Sequence, residues 1–162
     1  MKKLMRSAVL AVVVLATALT ANAQKSDPWR LGIGVDGGLG LKTPTPFVLG
    51  GDVRLQKGIV HGLSGIFTTG YTHFFEKDNQ ASAGFIPVKA GLKYFPVSNF
   101  YVSAEAGAGF GVDKGLGTSF VWSPAIGYTF AKHWDVSVKY EDYTKYTETK
   151  QLALRIAYGF SL

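Results

Sequence analysis

The sequence predicts an all-β fold: an eight-stranded antiparallel up-and-down β-barrel preceded by a cleaved signal peptide. Three observations carry that reading. The chain begins Met1-Lys2-Lys3-Leu4-Met5-Arg6, continues as an apolar block from Ala8 to Leu19, and reaches Ala21-Asn22-Ala23. A basic head, an apolar middle and an A-x-A end are the pattern of a secretory signal, and the block is too short for a spanning helix. From Trp29 onward the dominant hydrophobic period is two, with no helical pattern of useful length. Finally, the alternating segments number eight, an even count suited to closure, and clusters of turn residues separate them.

The expected organisation is a signal peptide over 1–23, cleaved after Ala23 (with Ala21 and Ala23 as the small pair) to leave Gln24 first, and one barrel domain over 24–162. Removing the signal removes three of the 17 basic residues, leaving 14 against 11 acidic ones. So small an excess, in an exported chain, argues against a nucleic-acid partner. The chain has no cysteine, which excludes a disulfide framework and a lipid-modified cysteine.

The elements follow in order. The first strand, Trp29 to Leu41, alternates Leu31, Ile33, Val35 and Leu39 with Arg30, Gly32, Gly34, Asp36 and Gly38. The second sets Phe47, Leu49, Val53 and Leu55 against Asp52, Arg54 and Gln56. The third sets Leu63, Phe67, Tyr71 and Phe75 against Ser64, Ile66, Thr68 and Thr72. In the fourth, Ile86, Val88, Ala90, Leu92 and Tyr94 oppose Lys89, Gly91 and Lys93. The fifth places Val102, Ala104, Ala106, Ala108, Phe110 and Val112 opposite Ser103, Glu105 and three glycines. The sixth sets Phe120, Trp122, Ile126, Tyr128 and Phe130 against Ser123, Ala125, Gly127 and Thr129. The seventh sets Trp134, Val136, Val138 and Tyr140 against Asp135, Ser137, Lys139 and Glu141. The last runs to the chain end, with Leu152, Leu154, Ile156, Tyr158, Phe160 and Leu162 opposite Gln151, Arg155 and Ala157. Pro87 and Pro124 fall inside strands and predict bulges or breaks in pairing.

Size decides which face points outward. Eight strands enclose a space only just wide enough for side chains. The bulky apolar face therefore belongs outside and the small, polar face inside, so the barrel is transmembrane. Trp29, Tyr94, Phe130, Trp134, Tyr158 and Phe160 are expected at one rim. Phe47, Phe75, Phe120, Trp122 and Tyr140 are expected toward the other. Two aromatic girdles around an apolar band mark an outer-membrane barrel.

The runs Gly84–Phe95, Phe100–Gly111, Trp122–Phe130 and Leu152–Phe160 resemble the small bacterial outer-membrane β-barrel domain family, the broad group of OmpX-like and opacity-like porins. The resemblance implies the Gram-negative outer membrane, insertion by the barrel-assembly machinery, and no single activity. It also implies an assembly signal in the final strand, matched by Tyr158, Phe160 and Leu162, although the last residue is Leu where the family favours an aromatic.

The chemistry-bearing candidates are the lumen charges: Arg30, Arg54, Lys89, Lys93, Lys139 and Arg155 against Asp36, Asp52, Glu105, Asp135 and Glu141. In a narrow interior they are expected to pair into a network that fills the lumen. The alternative is a narrow porin-like channel for small solutes or ions. Gly32-Ile-Gly34-Val-Asp-Gly37 matches a dinucleotide fingerprint but lacks the strand-to-helix context, so its glycines are read as space for lumen side chains. A lipid A-modifying enzyme is the second alternative. His61, His73 and His133 form no His-x-Ser pair, and Gly62-Leu-Ser64-Gly65-Ile66 fails the nucleophile-elbow pattern. The histidines give no metal-ligand spacing either. No catalytic residue, cofactor or metal is expected.

The expected partners are outer-membrane lipids and lipopolysaccharide. The 142–150 loop, polar with two exposed tyrosines, could extend the last hairpin toward a surface partner. The reading is a non-enzymatic integral outer-membrane barrel with a side-chain-filled lumen and a structural or surface-interaction role.

Overall fold

The computed structural model describes residues 28–43, 45–75, 82–131, 133–146 and 149–162. The segment expected to be the signal, including Ala21, Ala23 and Gln24, lies outside the described residues. The eight expected strands are found as β1 (Arg30–Gly40), β2 (Phe47–Val60), β3 (Leu63–Phe74), β4 (Ala83–Tyr94), β5 (Phe100–Gly111), β6 (Thr118–Phe130), β7 (Trp134–Tyr143) and β8 (Lys150–Ser161). Each pairs antiparallel with its sequence neighbour, and β8 returns to β1 to close the barrel. The closing ladder is unbroken from Arg30↔Ser161 to Gly40↔Gln151. Closure lets strands cross lipid, because it leaves no edge of unpaired backbone groups.

Period-two alternation becomes an inside and an outside. Val35 is 62% exposed and its neighbour Asp36 is 4% exposed. Along β8, Leu152, Leu154 and Ile156 face out while Gln151, Ala153, Arg155 and Ala157 face in. The surface is apolar and the interior largely charged, the reverse of a water-soluble core. Aromatic rings gather at both ends of this belt. Trp134 meets Phe130 and Tyr158, and Tyr158 meets Phe160, at the end where β1 begins and β8 ends. Phe47 meets Phe75, and Trp122 meets Tyr140, at the other.

At the terminal end the connections are 61–62, 95–99 and 131–133; at the opposite end they are 41–46, 75–82, 112–117 and 144–149. Short connections are the rule at the periplasmic end of outer-membrane barrels. Gly62, at φ +75°, supplies the left-handed backbone that the two-residue turn needs.

Of the two irregularities expected at the prolines, breaks in pairing occur and bulges do not. Neither makes a bulge. Pro87 pairs in register with Gly109 across β4–β5, while the β3–β4 ladder steps from Thr69↔Val88 to Thr72↔Phe85 without a shift. Pro124 likewise pairs with Ala104, and the β6–β7 ladder steps from Trp122↔Asp142 to Ala125↔Lys139. Each missing N–H interrupts one ladder and leaves the other intact. The register shift lies instead between Gly58 and Val60 in β2–β3.

Candidate functional site

The lumen is the site, and it has three levels. The outermost is apolar. Val48, Phe74, Phe85, Val121 and Tyr143 form a buried cluster, joined by Ala83, Leu116 and Tyr146. Phe85 stacks on Tyr143 with centroids 4.3 Å apart, and Phe74 stands edge-on to both. The expectation of two exposed tyrosines in the 142–150 loop is corrected here. Tyr143 is fully buried at the end of β7, and Tyr146 turns back over Phe85. The Tyr146 hydroxyl accepts from the Gly117 N–H at 2.6 Å, and the Thr149 hydroxyl donates to the Tyr143 and Tyr146 carbonyls. An aromatic pair gains more by filling the barrel mouth than by standing in water, so the segment folds inward as a cap.

The middle level is charged: Asp36, Asp52, Arg54, Lys89, Lys93, Glu105, Asp135, Lys139, Glu141 and Arg155 form ion pairs there. They divide into three groups. Lys139 donates to Asp36 at 2.8 Å and lies 3.9 Å from Glu141, which also pairs with Lys89. Glu141 accepts further bonds from Gln151 and Tyr143. Arg54 donates to Glu105 at 2.7 Å and to the Thr68 hydroxyl at 3.0 Å. Arg155 grips Asp52 with two bonds of 2.6 Å and reaches Asp135 at 3.4 Å. Asp135 also accepts from Lys93 and from the Tyr101 hydroxyl at 2.6 Å. Each group contains as many cations as carboxylates, so it is neutral without a bound ion, as burial demands.

The inward glycines provide space. A Cβ at Gly34 would lie 2.7–3.0 Å from the Arg155 guanidinium. Gly127 leaves room for the Tyr101 ring and Gly109 for Tyr143. That is why the glycine-rich β1 is a strand facing a large side chain.

The third level is the mouth at the other end, where Arg30 stands. Gly58, Ser64, Thr129 and Ser161 line a vestibule of about 1070 Å³ here. A narrower extension of about 40 Å³ runs up to Lys93, Asp135 and Arg155.

The histidines are separated. His61 sits in the β2–β3 turn. His73 hydrogen-bonds the Tyr71 hydroxyl at 3.0 Å on the outer face. His133, in the turn just before β7, bonds the Gly159 carbonyl at 2.9 Å and stacks on Tyr158. Among the described residues no cluster of three metal-binding side chains occurs. At the chain end, Phe160 faces outward opposite Leu31, and the Leu162 N–H donates to the Trp29 carbonyl at 2.8 Å.

Several members of the site were not singled out from sequence: Phe74, Phe85, Tyr101, Val121 and Tyr143. Four of them share a signal. Phe74-Phe75, Phe85-Ile86, Phe100-Tyr101 and Phe120-Val121 are adjacent bulky pairs, and period two sends one member of each inward.

A closed eight-stranded barrel with an apolar belt, aromatic rims and a filled lumen defines the outer-membrane β-barrel class. Solved structures share that fold. Neisserial surface protein A (NspA) superimposes with a TM-score of 0.64 at 10% identity, over 86% of this chain and 100% of that one. The N-terminal β-barrel domain of Pseudomonas aeruginosa OprF gives 0.61 at 10%, over 84% and 100%. Ail, the attachment invasion locus protein of Yersinia pestis, gives 0.59 at 16%, over 83% and 99%. At these identities the likeness is one of fold. No protein-family model matches the sequence, and the search of curated proteins returns no significant match.

Proposed function

We propose that the chain is a non-enzymatic integral protein of the bacterial outer membrane, with a closed lumen and a structural or surface-contact role. The observation that carries this is the sealed outer half of the barrel. Paired charges fill the middle, and the Phe74–Phe85–Tyr143 cluster shuts the outer mouth. A closed lumen leaves the outer rim as the surface that meets other molecules. Among the described residues Lys42, Lys114 and Lys145 stand on that rim, Lys150 lies 3.7 Å from Asp142, and Asp113 accepts from the Gly84 N–H. Lysines presented there suit the phosphates of lipopolysaccharide. Ail has been crystallised with the heparin analogue sucrose octasulfate, a comparable polyanion.

Residues 1–23 act as the export signal in this reading. Tyr158, Phe160 and Leu162 present the outward edge of the closing strand to the barrel-assembly machinery. The test is twofold. The chain should be recovered from the outer-membrane fraction in a heat-modifiable form, and proteoliposomes holding it should admit small sugars no faster than protein-free vesicles. Rapid sugar entry would overturn the closed lumen.

A second reading, a narrow channel, draws on one observation. Lys139 and Arg155 each lie between two carboxylates, Asp36 and Glu141 for the first and Asp52 and Asp135 for the second. A cation with two partners can exchange between them, and a chain of such exchanges would let ions pass.

A further inference from the structure

The two fillings of the lumen oppose an ion in different ways. The charged level is polar throughout. Thr68, Ser103, Ser123 and Ser137 are buried among its ion pairs. Among the described residues Asp36 Oδ1 and Ser103 Oγ have no hydrogen-bond partner. Lys139 stands between Asp36 and Glu141, and Arg155 between Asp52 and Asp135. Side chains of this kind can exchange partners and bond water or a passing ion, so pairing by itself does not bar either. Water also has a way in, because a narrower space extends from the vestibule to Lys93, Asp135 and Arg155.

The outer level offers an ion no such partners. Val48, Phe74, Phe85, Val121 and Tyr143 come from five different strands, and each is at most 3% exposed. Phe85 stacks on Tyr143 and Phe74 stands edge-on to both. Gly109 seats the Tyr143 ring, since a Cβ there would lie 2.4 Å from it. Tyr143 turns its hydroxyl out of the cluster and donates to Glu141 at 3.3 Å. An ion entering such a ring of side chains sheds its hydration shell and gains no ligand in return. A narrow apolar constriction of this kind stays dry and stops ions without carrying any charge.

We propose that this cluster is a hydrophobic gate and the barrier to ions, an assignment that rests on the closed-lumen reading. The charged level beneath it is then a half-channel, wetted from the end where β1 begins and β8 ends.

Planar-bilayer recording in potassium chloride tests the gate. It compares the parent with Phe85→Ser and Val121→Ser, which place a hydroxyl in the constriction, and with Lys139→Met, which alters only the level beneath. Val121→Ser is the smaller change and stands in where Phe85→Ser does not fold, folding being checked by gel mobility before and after boiling. The expected result is a silent parent, a silent Lys139→Met and discrete current steps from at least one folded serine variant. Thiol labelling tests the same division without disturbing the cluster's rings. The chain has no cysteine, so Ser103→Cys and Val121→Cys each carry a single thiol. In the folded barrel a small cationic methanethiosulfonate should modify Ser103→Cys and leave Val121→Cys unmodified. With a silent parent, silence of every folded serine variant, current from Lys139→Met, or the reverse labelling pattern would overturn the gate and leave the closed lumen standing. Current from the parent would overturn both.

Discussion

Arg155→Met exposes the energetics of the lumen most sharply. The guanidinium is 2% exposed, and both Asp52 oxygens accept from it at 2.6 Å. Methionine keeps the apolar stem of the side chain but leaves the Asp52 carboxylate buried without that cation. Removing one partner of a buried pair costs about 3–5 kcal/mol. Asp135 loses only a 3.4 Å contact and keeps Lys93 and Tyr101, so the effect centres on Asp52. In reversible urea unfolding from lipid vesicles, followed by tryptophan fluorescence, the midpoint should fall by at least about 1 M. Two companions sharpen the test. Asp52→Leu combined with Arg155→Met removes both charges and should regain most of the loss, since an apolar replacement of a buried pair is often neutral. Gly34→Ala, which forces the guanidinium aside, should cost about 1–3 kcal/mol alone and distinctly less beside Arg155→Met. An Arg155→Met variant within about 1 kcal/mol of the parent would refute the reasoning, as would a double variant no more stable than the single one.

Other outcomes follow from the same geometry. Glu105→Ala strands Arg54 in the middle of the lumen and should destabilise by about 3 kcal/mol or more in the same unfolding assay. Val35→Arg places a charge on the lipid face at mid-belt and should cost about 2–4 kcal/mol in bilayers, whereas Gly37→Ser, beside open space, should cost almost nothing. Phe85→Ala removes the ring stacked on Tyr143 and should cost about 3–5 kcal/mol, with loss of near-ultraviolet circular dichroism from the outer cluster. Phe160→Asp puts a charge on the outer face of the closing strand; it should lower the heat-modifiable fraction in cells, measured by gel mobility before and after boiling.

Sequence period alone carried the strand count, the faces and the rims because the membrane imposes one rule on all eight strands. Val35 and Asp36 differ in environment as sharply as they do in chemistry. Charge placement was also legible, since Lys89, Glu105, Lys139 and Arg155 occupy the inward parity of their strands. Partner choice was not. Arg155 reaches Asp52 and Lys139 reaches Asp36 across 103 residues each, and which inward charges meet depends on the stagger between strands across the closed barrel. The outer cap was hidden for another reason. The Tyr143–Lys150 segment reads as polar and β-prone, but its environment is set by the aromatic residues that β3 and β4 turn inward at the same height. The vestibule was equally silent, because it arises where several small inward residues from different strands coincide at one end.

The central claim is a lumen sealed by paired charges and an outer aromatic cluster, and planar-bilayer recording of the refolded chain tests it directly. With folding confirmed by the mobility difference between unboiled and boiled samples, the account predicts insertion without discrete current steps across the usual voltage range. Stepwise currents from the folded chain would show an open water path through the barrel and contradict the account, leaving the exchangeable Lys139 and Arg155 pairs as the route by which ions cross.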